Sequence, residues 1–233
     1  NVFNIGGSSS SMALDSQAIN LRILPIDRLY KEGKNIQQHF FFDDPDGKAS
    51  YAHFLGTFRN GKWEIRDKGT YVLVKSRTGM AVEIYANKPT SEYAGQDAIK
   101  AHFSATGRWP DVVVHRGHSY FVSAAIESLT PNAEIVFLGS CGGYNNISQV
   151  LKYSPNAQII SSKQIGTMLV NDKLCLELNE VIRRGEDIIW DNLWLTLNKR
   201  FAAGSTANSR FKDYIPPHKN LGALLIKTYR SVL

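Results

Sequence analysis

Hydrophobic and polar positions along the chain alternate between two periods. Short strand-length runs with buried character fall at Gln38–Phe42, Asp111–Val114, Glu134–Leu138 and Gln158–Ser161. Between them lie stretches with apolar residues three and four apart, which reads as amphipathic helix. Tyr51, Phe54, Leu55 and Phe58 make one such stripe, predicting a helix from Lys48 to Phe58 with Asp46 as its cap. Further helices are predicted over Ser91–Ser104, Tyr120–Leu129, Ile147–Tyr153, Met168–Arg184, Asp191–Phe201 and Leu221–Val232, with a short one at Asp27–Lys31. Gly107 and Gly185 stand where two of them should stop. Asn60–Gly61 and Arg77–Thr78–Gly79 are turn signals that frame a β-rich stretch: Lys62–Arg66, Thr70–Ser76 and Met80–Ala86. Ala203–Ser209 reads as a polar loop.

Short apolar strands alternating with amphipathic helices predict an α/β fold: three layers, a mostly parallel sheet with helices on both faces, and an antiparallel β-rich insertion. Residues 1–11, rich in Gly and Ser, read as a flexible leader, and 12–233 as one domain. The chain opens on Asn1 rather than Met, as a processed chain or a piece of a longer one does.

Composition narrows the function classes. Hydrophobic residues make up 43% of the 233 and charged residues 21%, which excludes wholesale disorder. No apolar run approaches the ~18–20 residues of a membrane span. The net charge of +6 is spread among acids, as in Glu180–Asp187, whereas a nucleic-acid footprint would be clustered. No nucleic-acid partner is therefore expected. Two cysteines, Cys141 and Cys175, provide neither a disulfide framework nor a thiolate zinc site. Asp43, Asp44 and Asp46 before Gly47 lack the spacing and distal Glu of a calcium loop, so no metal or other cofactor is expected.

In a parallel sheet the functional crevice lies beyond the carboxyl ends of the strands. Two consecutive strands end in reactive side chains: Val112–Val114 leads into His115–Arg116–Gly117–His118–Ser119, and Ile135–Leu138 into Gly139–Ser140–Cys141–Gly142–Gly143. Strands lie ~4.8 Å apart, so their ends bring a thiol and an imidazole into one neighbourhood. That pair suits general-base-assisted nucleophilic attack. The glycines around Cys141 permit a tight turn, and backbone N–H groups there suit a developing oxyanion. Cys175 falls in an apolar helical stripe and reads as packing, as do His39, His53 and His102 at packed or surface positions.

An apolar block ending at a histidine beside glycine, followed by one ending in Ser-Cys, resembles the caspase–gingipain–legumain group of cysteine peptidases over Ala81–Thr167. The run from Phe40 to Asn220 also resembles uncharacterised caspase-like proteins of bacterial type. The resemblance implies a thiol protease, a hydrolase in which Cys141 forms a thioester acyl-enzyme with a peptide or protein substrate. A Cys-His dyad needs His118 as base, with His115 as the alternative, because the group's usual His-Gly order appears here as Gly117–His118–Ser119. Backbone amides at Gly117 and Gly142 are implied as the oxyanion donors. Ser162, Lys163 and Gln164, after the next strand, are implied as substrate-binding. Asp43 and Asp44 follow a core strand and would favour a Lys or Arg substrate side chain if they reach the cleft.

Two rival readings stand beside it. A non-catalytic peptide- or partner-binding domain of the same fold is one. The other is a cysteine amidohydrolase on a small substrate, since Gly139–Gly143 also fits a Gly-x-Cys-x-Gly elbow. The elbow enzymes place their histidine after the nucleophile, and here only His218 follows Cys141.

Overall fold

The computed structural model describes residues 21–231, so the leader expected over 1–11 lies outside the described residues. The first half runs β1 (Ile23–Leu24), α1 (Ile26–Leu29), β2 (Asn35–Phe41), α2 (Pro45–Thr57), β3 (Trp63–Asp67), β4 (Tyr71–Ser76), β5 (Val82–Asn87) and α3 (Glu92–Thr106). The second half runs β6 (Val112–Arg116), α4 (Val122–Glu127), β7 (Ile135–Leu138), α5 (Ile147–Tyr153), β8 (Gln158–Ser162), α6 (Met168–Arg184), β9 (Ile188–Ile189), α7 (Trp190–Arg200), α8 (Thr206–Phe211), β10 (Tyr214–Ile215) and α9 (Leu221–Ser231).

Eight strands form one sheet in the order β10-β8-β7-β6-β2-β5-β4-β3. The five from β8 to β5 are parallel, while β3 and β4 on one flank and β10 on the other are antiparallel. β1 and β9 pair separately as a small antiparallel ribbon. The expected α/β class, with its antiparallel β-rich extension, is therefore the observed one. Chain order reverses beside β2: β5 is laid on one side and β6 on the other. At such a switch the loops leave in opposite directions and open a crevice at the carboxyl ends.

The layers follow from alternation along the strands. Phe41, Val112, Val114, Phe137 and Ile160 face one helical layer, packed with Phe54 and Phe58 of α2 and Leu174 and Leu178 of α6. Phe40, Phe42, Val113, Val136 and Ile159 face the other, against Val122 and Ile126 of α4, Val150 and Leu151 of α5 and Ala223 of α9. The Phe40–Phe42 run thus serves two cores at once, as a strand covered on both faces must.

Several element bounds depart from the pattern. β2 begins three residues early because Asn35 and Gln37 are polar yet fully buried. The Gln37 amide donates to Asn35 Oδ1 and Asn179 Oδ1, both at 2.8 Å, so the strand carries its own polar network. α2 starts at Pro45, and its cap is Asp44 rather than Asp46: Asp44 Oδ1 accepts from Gly47 N at 2.9 Å. The stretch 203–209 is only in part the loop expected. Ser205 Oγ accepts from Asn208 N and starts α8, whose buried Phe211 packs on Phe201 with ring centres 4.9 Å apart. Among the described residues no helix is long and apolar enough to cross a membrane.

Candidate functional site

The β6–β7 register fixes the relation between the two reactive loops. His115 pairs with Leu138, so His118 and Cys141 each lie three residues beyond the same rung. The last tie is Gly139 N donating to His115 O at 3.1 Å, after which the two chains diverge. Cys141 is exposed and carries a free thiol, whereas Cys175 is buried. Burial raises the Cys175 thiol to about 11, which keeps it protonated and unreactive.

Beyond the strand ends, a cavity of about 210 Å³ opens between the two loops, touching Gly117 on one and Gly139 on the other. α2 supplies Asp46 and Ser50, and the segment from Ile165 to Met168 forms the facing side with Asn171 of α6. The packing is close at three glycines of this lining, and Gly166 leaves no room for a side chain. A Cβ on Gly117 would lie 3.0 Å from the Phe42 ring, and one on Gly139 would lie 2.9 Å from the Asn171 amide. A Cβ on Gly166 would lie 2.2 Å from Gly139 O, so the 165–168 segment rests on the backbone that leads to Cys141.

That segment is tied down by side chains the sequence did not single out. Asn171 Nδ2 donates to Gly139 O at 2.8 Å, and Asn171 Oδ1 accepts from the Tyr214 hydroxyl at 2.7 Å. The same hydroxyl accepts from Thr167 N at 2.8 Å. Burial raises the Tyr214 phenol above its ordinary value. The phenol therefore stays protonated and serves as a bridge between β10, α6 and the loop that carries Cys141.

The two histidines differ in kind. His118 is partly exposed, with Nε2 3.1 Å from Asp46 Oδ2 and its ring stacked on Tyr120 at 5.0 Å. His115 is fully buried, and its Nε2 donates to the carbonyl of His118 at 3.1 Å. Its ring lies 5.1 Å from Phe42, which in turn stacks on Phe121. Burial pushes the His115 imidazole down to about 4, so it stays neutral near pH 7. His115 thus holds the His118 loop from beneath, and His118 is the imidazole presented at the surface.

The remaining expected site residues divide. Ser162 is buried in the β8–β10 ladder, opposite Tyr214. Lys163 extends over the Tyr144 ring, 5.6 Å from its centre. Gln164 O accepts from Gly142 N at 2.7 Å, so the Gly142 amide already has an acceptor. Among the described residues, no backbone acceptor is paired with the N–H of Cys141. Asp43 is half-exposed and pairs with Lys48 Nζ at 2.5 Å. Asp44 is buried at the α2 cap, with Oδ2 3.8 Å from the position of a Cβ on Gly117. The carboxylate that lines the cavity is Asp46, two residues further on. Its role was hidden in the sequence because Asp-Asp-Pro-Asp-Gly reads equally well as turn and helix cap.

Burial of His115 and His39 has a consequence for acid stability. Both are depressed by burial, to about 4 and about 3, against an ordinary value of 6.5. Below pH 6.5 the unfolded chain binds protons that the native state refuses, so stability falls as pH drops toward those lower values. Asp111, raised by burial to about 6, works the other way below pH 6, because there the native state binds the proton first. Each histidine outweighs or matches it over that range, at about 1.4 kcal/mol per pH unit per group. Denaturant titrations between pH 7 and 4 should show falling stability in the wild type. In His115→Asn the slope should be shallower by about one such contribution.

No family profile, curated protein or solved structure matches the chain.

Proposed function

We propose that the protein is a cysteine peptidase with Cys141 as nucleophile and His118 as its base. The observation that carries this reading is the shared register: His118 and the exposed Cys141 each follow the same β6–β7 rung by three residues, on loops that touch one side-chain-sized cavity at Gly117 and Gly139. With His118 Nε2 donating to Asp46, its Nδ1 is the nitrogen left to take the thiol proton. The thiolate attacks the peptide carbonyl, the N–H of Cys141 meets the oxyanion together with an amide at Gly117, and the imidazolium returns its proton to the leaving amine. Water then attacks the thioester, again with His118 as base, and frees the acid and the thiol.

Incubation with a proteome-derived peptide library, read by mass spectrometry of new termini, tests the assignment. The wild type is expected to cut after a restricted set of residues, and Cys141→Ala to cut none. Equal cleavage by both proteins would remove Cys141 from the mechanism. Cleavage of small amides but of no peptide would favour the amidohydrolase reading. Tight binding of peptides that both proteins leave intact would favour a binding domain.

A further inference from the structure

We propose that Asp46 is the specificity-determining residue of this site and that the cavity takes the side chain of an arginine or lysine. The assignment rests on the peptidase reading, which it extends to the class of substrate. At about 210 Å³ the cavity is smaller than the ~300–1,000 Å³ of pockets for drug-sized ligands, so it suits one extended side chain. Its lining carries a single charged group, the Asp46 carboxylate. Ile165 and Met168 on the facing side offer apolar surface to an aliphatic stem, while Ser50 and the Asn171 amide add polarity. A long stem ending in a cation matches that lining: the methylenes lie on Ile165 and Met168, and the head reaches the carboxylate.

Of the other acids nearby, Asp43 is paired with Lys48 and Asp172 with Arg116 and His53, while Asp44 caps α2 through Oδ1 and keeps a buried Oδ2 with no partner among the described residues, outside the cavity lining. Among the described residues Asp46 pairs with His118 alone, and through Oδ2. A carboxylate accepts at two oxygens, so the second is open to a guanidinium or ammonium while the first keeps the imidazole in place. One residue then couples recognition to catalysis: a substrate cation that fixes Asp46 also fixes the ring that activates Cys141.

Paired peptides that differ only in arginine or its neutral isostere citrulline test this. The wild type should cleave the arginine peptide at least 30-fold faster in kcat/KM, with most of the difference in KM. Asp46→Asn keeps an oxygen for His118 but loses the charge, and should bring the two peptides within about threefold. Equal rates in the wild type, or a preference that survives Asp46→Asn, would overturn the proposal. Binding of the same peptides to Cys141→Ala, measured by calorimetry, separates this inference from the reading beneath it. Arginine-selective binding that Asp46→Asn abolishes, in a wild type that cleaves nothing, keeps the pocket and discards the peptidase. Absent or non-selective binding discards the pocket. Asp46 is largely exposed, so Asp46→Asn should melt close to the wild type and report on the site.

Discussion

His118→Ala is expected to lower kcat by roughly two to four orders of magnitude while leaving the melting temperature within a few degrees of the wild type. The ring is partly exposed, stacks on the exposed Tyr120, and pairs with a carboxylate that is itself largely exposed, so its removal opens no core cavity. His115→Ala should behave in the opposite way. It deletes a fully buried ring packed on Phe42, together with the hydrogen bond that supports the His118 carbonyl. Loss of a large buried side chain typically costs about 3–5 kcal/mol. Its effect on kcat should be smaller at temperatures where the variant is folded, and reflect the looser loop. Rates and melts on both variants decide between the two imidazoles. A folded His118→Ala with full activity would move the role to His115.

The second large effect lies beneath the site. Arg116 is fully buried, and its guanidinium meets Asp172 at 2.5 Å and sits 5.9 Å from the centre of the Phe41 ring. Its Nε has no partner among the described residues, so Asp172 is its main compensation. Asp172→Asn leaves a cation in a low-dielectric interior without its counter-ion. Breaking such a pair from one side costs about 3–5 kcal/mol, equivalent here to a melting shift of about 6–20 °C. His53, the other neighbour of Asp172, is mostly exposed and cannot replace the lost negative charge. The double variant Arg116→Met, Asp172→Leu should recover a large part of the loss, because no charge is then left buried. Failure of the double variant to exceed Asp172→Asn would show that the pair contributes more than mutual neutralisation.

Much of this architecture was legible because the signals were local and agreed with one another. Ile147–Tyr153 and Met168–Arg184 have the bounds their apolar periodicity implies, and Gly185 ends the longer helix at φ 74°. The strand ends carrying Cys141 and His118 were readable for the same reason: an apolar run followed by glycine marks where a buried strand must release its chain. What escaped was set by partners far away in sequence. Asn35 and Gln37 look like loop residues until Asn179, from α6, supplies the hydrogen bond that lets Gln37 enter the core. The strands β1, β9 and β10 are two residues long and exist through their pairing partners. Tyr214 and Asn171 look like ordinary core and helix positions, yet together they fix Thr167 and Gly139, two residues before Cys141. Asp46 has the sequence position of a cap, and the fold shows that Asp44 takes that duty and leaves Asp46 to the cavity.

The pairing of Cys141 with His118 is tested most directly by active-site labelling with peptidyl acyloxymethyl ketones that vary in the residue beside the ketone. Mass spectrometry of the intact and digested protein locates the adduct. One equivalent of label should be found on the Cys141 sulfur in the wild type, none on Cys175, and the labelling rate should fall at least 100-fold in His118→Ala. Labelling that proceeds as fast in His118→Ala, or that bypasses Cys141, would contradict a thiol activated by that imidazole.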